Sequence, residues 1–162
     1  MKALWCFPSI LFRLVNEIKS LCRDCDHVVG VETGGSPYAS LIAKDLNIPL
    51  ILLRKEAKGS LGYLAGYAKK EGGKFAIVDD VLATGNSITE AIRSIKNGHR
   101  TIKFASVLSY GMDKTIARKY NIEVVSLYQI DDVLETLNSD LSELLIPHIR
   151  AFQKNLISIL EG

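Results

Sequence analysis

An excess of charge of either sign is what this chain most clearly lacks: 20 Lys and Arg against 18 Asp and Glu leave a formal net charge of +2. A balance that small provides no electrostatic footprint for nucleic acid. No apolar run approaches membrane-spanning length and the N-terminus lacks a signal-peptide layout, so no membrane association is expected and the cytoplasm is the default location. Neither a Walker A pattern nor a GxGxxG occurs, which weighs against nucleotide hydrolases and dinucleotide enzymes. Internal repeats and low-complexity tracts are also missing. The 162 residues, 48% of them apolar, therefore suit one domain, 1–162, with its own core.

Cysteine is scarce, at three residues. Cys22-Arg23-Asp24-Cys25 forms a CxxC with His27 two positions on, but a structural zinc site usually draws its four ligands from two such pairs. The second pair is missing. Cys22 and Cys25 are read as a surface thiol pair at a helix end, and His27 as a surface residue at a strand entrance.

What the chain does have is strict alternation. Ile10, Leu11, Leu14, Val15, Ile18 and Leu21 make one face of a helix over Ser9 to Leu21. Val28 to Val31 reads as a strand, followed by Glu32-Thr33-Gly34-Gly35-Ser36-Pro37. There, two glycines permit close backbone approach and Pro37 suits the first turn of the next helix. Ile48 to Leu53 is another strand, running into Arg54-Lys55-Glu56-Ala57-Lys58-Gly59-Ser60, a cationic segment bounded by glycine. Leu61 to Ala68 reads as a hairpin arm. Lys103 to Leu108 and Ile122 to Leu127 are further strands, with a helix over Lys114 to Tyr120 between them. A long amphipathic helix, kinked or interrupted near Pro147, begins at Asp140. These elements predict an α/β fold: a mostly parallel five-stranded sheet with helices on both faces and its ligand crevice at the carboxyl ends of the strands.

Phe75 to Ser87 organises the rest. The run Phe75-Ala76-Ile77-Val78 has the pattern of a strand buried on both faces. Asp79 and Asp80 follow where it should leave the sheet, so that both carboxylates reach one crevice. Ala83-Thr84-Gly85-Asn86-Ser87 then turns the chain, and Ser87-Ile88-Thr89-Glu90 reads as a capping box opening a helix. Acceptors for hydroxyls or metal thus sit beside an anion-binding nest, the two features that a sugar phosphate needs.

Val78 to Ser87 resembles the phosphoribosyl-pyrophosphate (PRPP) signature of the type I phosphoribosyltransferases. Glu32, Thr33, Gly34 and Gly35 are similar to that family's pyrophosphate loop, and Arg54 to Lys58 resembles the mobile catalytic loop of the orotate enzymes within it. The resemblance implies attack by a nitrogenous base on C1 of PRPP, with Mg²⁺ held mainly by PRPP oxygens and by Asp79 or Asp80 through water. It also implies a flexible lid and a homodimer. In it Lys58 assists the leaving group, Arg54 and Lys55 hold its charge, Asp79 and Asp80 hold the sugar hydroxyls, and Ala83, Thr84, Gly85, Asn86 and Ser87 take the 5′-phosphate. Two positions depart from the family pattern. Ser60 stands where a histidine is common, and Ser109-Tyr110-Gly111 replaces an Asp-Arg pair whose arginine meets the orotate carboxylate. That bond is worth on the order of 1.5–3 kcal/mol when buried. Orotate is the first choice of base, with a purine as alternative and Tyr110 placed to stack on either ring. A non-catalytic PRPP-sensing regulator is a further alternative, against which Lys58 argues.

Overall fold

The computed structural model describes residues 2–56, 63–66, 73–95, 100–137 and 139–161. Six strands, β1 (His27–Val31), β2 (Leu50–Leu53), β3 (Leu64–Ala65), β4 (Lys74–Leu82), β5 (Arg100–Ser109) and β6 (Glu123–Gln129), form one sheet of order β3-β2-β1-β4-β5-β6. All neighbours are parallel except β2 and β3. The helices are α1 (Pro8–Leu21), α2 (Ser36–Leu46), α3 (Asn86–Ser94), α4 (Asp113–Tyr120), α5 (Ile130–Glu135) and α6 (Ser139–Glu161), preceded by a 3-10 turn over Lys2–Cys6.

Alternation along the buried strands sorts the core into two layers. Val28, Ala76, Val78, Ala105 and Val107 meet Leu14, Val15 and Ile18 of α1 and Tyr38, Ala39 and Ile42 of α2. Val29, Val31, Ile51, Phe75, Ile77 and Phe104 meet Ile88 and Ala91 of α3, Ile116 of α4 and Leu156 of α6. Asn47 and Asn121 end α2 and α4 in the left-handed conformation, at φ 53° and 51°.

Several expectations need correction. The sheet has six strands, because Leu64 and Ala65 pair antiparallel with Leu53 and Leu52. The Arg54 N–H donates to the Tyr63 carbonyl at 2.7 Å and closes that hairpin, part of the arm expected from 61 to 68. Two residues are too few to show a strand period. The last helix is not interrupted at Pro147, which is exposed, so water can reach the carbonyl that its missing N–H leaves. His27 is buried, stacked on Phe75 with ring centroids 4.5 Å apart and planes 8° apart, because β1 begins at it. Cys22 and Cys25 are buried too, where the turn after α1 faces the core. Burial pushes their thiols up to about 11 and about 12, so they are unreactive core groups.

Lys103 ties the edge of the sheet opposite the crevice to α1. Its ammonium donates to the Leu21 carbonyl at 2.6 Å and pairs with Asp24 at 3.3 Å and Glu123 at 3.1 Å. This buried cation neutralises the C-terminal end of α1 and gives its last carbonyl a donor. Lys103→Met should therefore cost about 1–3 kcal/mol, since both carboxylates remain largely solvated. Melting temperature should fall by about 2–4 °C per kcal/mol. An unchanged melting curve would refute the anchoring role.

Candidate active site

The parallel register sets Val31 beside Leu53 and Gly30 beside Val78, so the chain leaves β1, β2 and β4 along one edge. The Glu32 N–H donates to the Leu53 carbonyl and the Gly35 N–H to the Val31 carbonyl, both at 2.8 Å, which folds residues 32–35 back over the strand ends. The Glu32–Thr33 peptide is cis. Gly35 lies so near β4 that a Cβ there would be 2.1 Å from the Val78 carbonyl oxygen and 2.8 Å from the Asp79 Cα. At Gly34 a Cβ would stand 2.2 Å from the Asp80 Oδ1. Gly35, which meets only backbone, is required by its neighbours whatever the loop binds, whereas a Cβ on Gly34 would displace the Asp80 carboxylate.

On β4 the strand continues to Leu82, two residues past the acidic pair, so the Asp79 and Asp80 side chains leave the backbone on opposite sides, yet their carboxyl groups meet in a side-chain hydrogen bond. Asp79 lines a cavity of about 90 Å³ together with Ala83, Thr84, Gly85, Asn86 and Ser87. Gly85, at φ 73°, is the N-cap of α3, and Asn86 opens the helix with its N–H donating to Thr84 Oγ1 at 3.3 Å. The expected capping box at Ser87 is thereby displaced. A left-handed glycine turns the chain sharply enough for the helix to begin two residues earlier. A Cβ on Gly85 would also press to 2.3 Å from Ile116 Cδ1.

A larger cavity, about 330 Å³, opens between the ends of β1 and β2 and the first turn of α3. Glu32, Arg54, Lys55, Asn86, Ser87 and Glu90 line it, with Tyr63 from the hairpin. Arg54 Nη1 is buried and meets no acceptor among the described residues. A buried guanidinium nitrogen left without a partner costs about 1–3 kcal/mol, and an anion in the cavity would relieve that cost. Glu90, read from the sequence only as part of a capping box, and Tyr63 are additions to the expected site. Glu90 lies four residues after Asn86 and so shares its helix face, a signal that was available. Lys58, with Ser60, lies outside the described residues.

Tyr110 follows β5 beside the same edge, its N–H donating to the Leu82 carbonyl at 3.0 Å. Its ring meets Phe152 of α6 edge-on, with centroids 5.2 Å apart and planes at 80°. Its carbonyl accepts from Gln153 Nε2 at 3.3 Å. Ser109 bonds Asp113 and receives the Gly111 N–H at 3.0 Å, which closes the turn on itself.

A mostly parallel sheet thus brings a glycine loop, the Arg54 side chain and an acidic pair beside a helix start to one carboxyl edge. Comparison with known proteins agrees. Residues 10–136 match the phosphoribosyl transferase domain family. The orotate phosphoribosyltransferase of Sulfurisphaera tokodaii is 32% identical over 139 residues, spanning 83% of this chain and 70% of that protein. That of Pyrobaculum aerophilum is 35% identical over 122 residues, spanning 73% of this chain and 63% of that protein. The chain thus matches about two thirds of the length of these relatives. The crystal structure of orotate phosphoribosyltransferase from Aeropyrum pernix superposes with a TM-score of 0.71 at 27% identity, covering 83% of this chain and 80% of that one. The adenine phosphoribosyltransferase of Saccharomyces cerevisiae shares the fold, with a TM-score of 0.64 at 22% identity over 76% of this chain and 82% of that one. The chain belongs to the phosphoribosyl transferase family, in its type I form.

The acidic pair also makes a prediction about pH. Burial pushes the Asp79 carboxyl up to about 8, with the adjacent Asp80 charge adding to the rise and the Asp80 N–H opposing it. The unfolded chain releases this proton near 3.8 and the folded one near about 8. Across that window the native state holds the extra proton, so its stability falls as pH rises. Asp79→Asn carries no charge in either state. In ligand-free melts, its melting temperature relative to wild type should climb from pH 5 to pH 8 and then level. A difference that stays flat would mean that Asp79 is ionised throughout.

Proposed function

We propose that this chain is a PRPP-dependent phosphoribosyltransferase that joins orotate to ribose 5-phosphate with release of pyrophosphate, working as a cytoplasmic homodimer. The observation that carries the reading is Arg54 Nη1, without an acceptor among the described residues, in one cavity with Lys55 and with Glu32, which adjoins the glycine loop. The orotate-enzyme relatives favour orotate among the bases.

Each loop then has one task. Thr84 to Ser87, with the first N–H groups of α3, receive the 5′-phosphate. The acidic pair takes the sugar, beneath a ring that becomes cationic as its bond to pyrophosphate lengthens. Arg54 and Lys55, with the N–H groups of Thr33 and Gly34, offset the charge growing on the departing pyrophosphate, and Lys58 joins them in the closed state. The donors present, carboxylate oxygens of Asp79, Asp80 and Glu32, are hard oxygen ligands that suit Mg²⁺. When bound, Mg²⁺ would neutralise charge on the leaving group, held by PRPP oxygens and by Asp79 or Asp80 through water.

The direct test is pyrophosphate release from PRPP and Mg²⁺ with orotate, uracil, adenine, guanine or hypoxanthine. Release is expected with orotate; no release with any base would refute the enzyme reading, and release with a purine alone would move the substrate. Lys58→Ala should lower kcat far more than it weakens PRPP binding, because its charge is needed mainly in the transition state. Dimer function is checked by mixing Lys58→Ala subunits with Asp79→Asn/Asp80→Asn subunits. Restored activity places Lys58 in the partner's site, whereas mixed dimers that form and stay silent place it in its own.

A further inference from the structure

α6 holds the domain by its second half. Ile149, Gln153 and Leu156 turn inward, and Leu156 is fully buried. Leu141, Leu144, Leu145 and Phe152, spaced three, four and seven apart, lie on a neighbouring stripe and stay exposed, Leu144 by 61%. His148 is on the same stripe and exposed as well. Three leucines and a phenylalanine in one row on an exposed helix form a contact surface, unlike single apolar residues scattered over a domain. The helix also begins beyond residues 10–136, the stretch that matches the family. Charge along α6 shows what fits the row. Asp140 and Glu143 lie in its first turns, and Arg150 and Lys154 in its second half. Pro147 stands midway, seven positions from Asp140 and seven from Lys154. A second α6 laid antiparallel about that point sets acidic against basic residues at both ends at once, whereas a parallel one sets like against like. Asp140 and Lys154 are close to four turns apart, so they flank the apolar row on the same side.

We propose that α6 is a self-association surface, pairing antiparallel with α6 of a second copy across a two-fold axis near Pro147. Such a contact is self-complementary and closes at two chains. It brings the partner's Leu141 and Leu144 to the end of the row that carries Phe152. Phe152 meets Tyr110 edge-on, so the second copy shields the outer side of the contact that holds the turn after β5. The pairing does not depend on which reaction the site performs. α6 is tied to α5, which follows β6 at one edge of the sheet, while Arg54 and Lys55 follow β2 near the other. Pairing through α6 is therefore separate from any exchange of Lys58 between subunits, and a chain that used both contacts would be a tetramer.

The test measures the mass of the whole chain by sedimentation velocity at micromolar concentration. Leu144→Lys should halve the mass of the wild-type particle and raise the dissociation constant by about a hundredfold or more. Leu144 is exposed within one copy, so the circular dichroism of the variant should match wild type, which separates lost pairing from lost folding. Lys154→Glu should weaken the pair by about tenfold, and less at high salt. Orientation is read by crosslinking in a Cys6→Ser background, since Cys6 is an exposed thiol. With diamide as oxidant, His148→Cys, beside the midpoint, should form a disulfide between copies. Leu141→Cys should not, because its two copies lie about 20 Å apart along an antiparallel pair. Equal masses for wild type and Leu144→Lys would overturn the proposal, and so would efficient crosslinking at both positions, which means parallel helices. A wild-type mass equal to that of Leu144→Lys, with wild type floating on anionic vesicles, would give the row to a lipid surface instead.

Discussion

The carbonyl of Val78 and the glycine opposite it set the geometry on which the crevice depends. Because Gly35 has no Cβ, the loop after β1 lies directly on β4 at the point where the acidic pair begins. Gly30, whose added Cβ would stand 2.7 Å from Ala39 Cβ, lets α2 pack closely on β1. The separation between the glycine loop and Asp80 is thus fixed by backbone packing rather than by side-chain rotamers, which cost entropy to hold. A catalytic site needs that kind of precision, since a shift of about 1 Å in positioning can cost two orders of magnitude in rate.

The site also holds groups that weaken the ligand-free fold. Arg54 Nη1 is buried without an acceptor among the described residues, and Asp79 retains a proton that the unfolded chain would release. An anionic ligand would relieve the Arg54 cost, and the two apolar layers and the Lys103 anchor offset both from outside the crevice. Ligand binding should then stabilise the chain beyond what its contacts alone suggest.

Much of this was legible in the sequence. β1 and β4 are apolar runs with few alternative readings, and the order of loops along the chain placed Glu32 to Gly35, Arg54 and Asp79 to Ser87 at one edge before any coordinates. What failed were features decided by neighbours distant in sequence. The exposure of Cys22, Cys25 and His27 depends on what covers a short turn and a strand entrance, and no local period records that. β3 is two residues long and exists only because β2 offers an edge. The strand was expected to end at the acidic pair, yet the ladder with β5 continues through Val81–Leu108 and Leu82–Ser109, and the two carboxyl groups meet within the strand rather than past its end.

Tyr110 shows how the distant end of the chain shapes the same edge. The turn after β5 is closed internally by Ser109, with its bonds to Asp113 and to the Gly111 N–H, and externally by Phe152 and Gln153 of α6. Gln153 also reaches Asp131, which pairs with Arg150 at 2.6 Å, so α5 is drawn into the same contact. A turn held on so many sides presents its backbone in one conformation. The ring that the sequence offered as a stacking surface already has an aromatic partner edge-on, and its place in the crevice is set by a helix more than forty positions later in the chain. The C-terminal helix is therefore part of the architecture of the site, although nothing in its amphipathic pattern distinguishes it from a cover for the sheet.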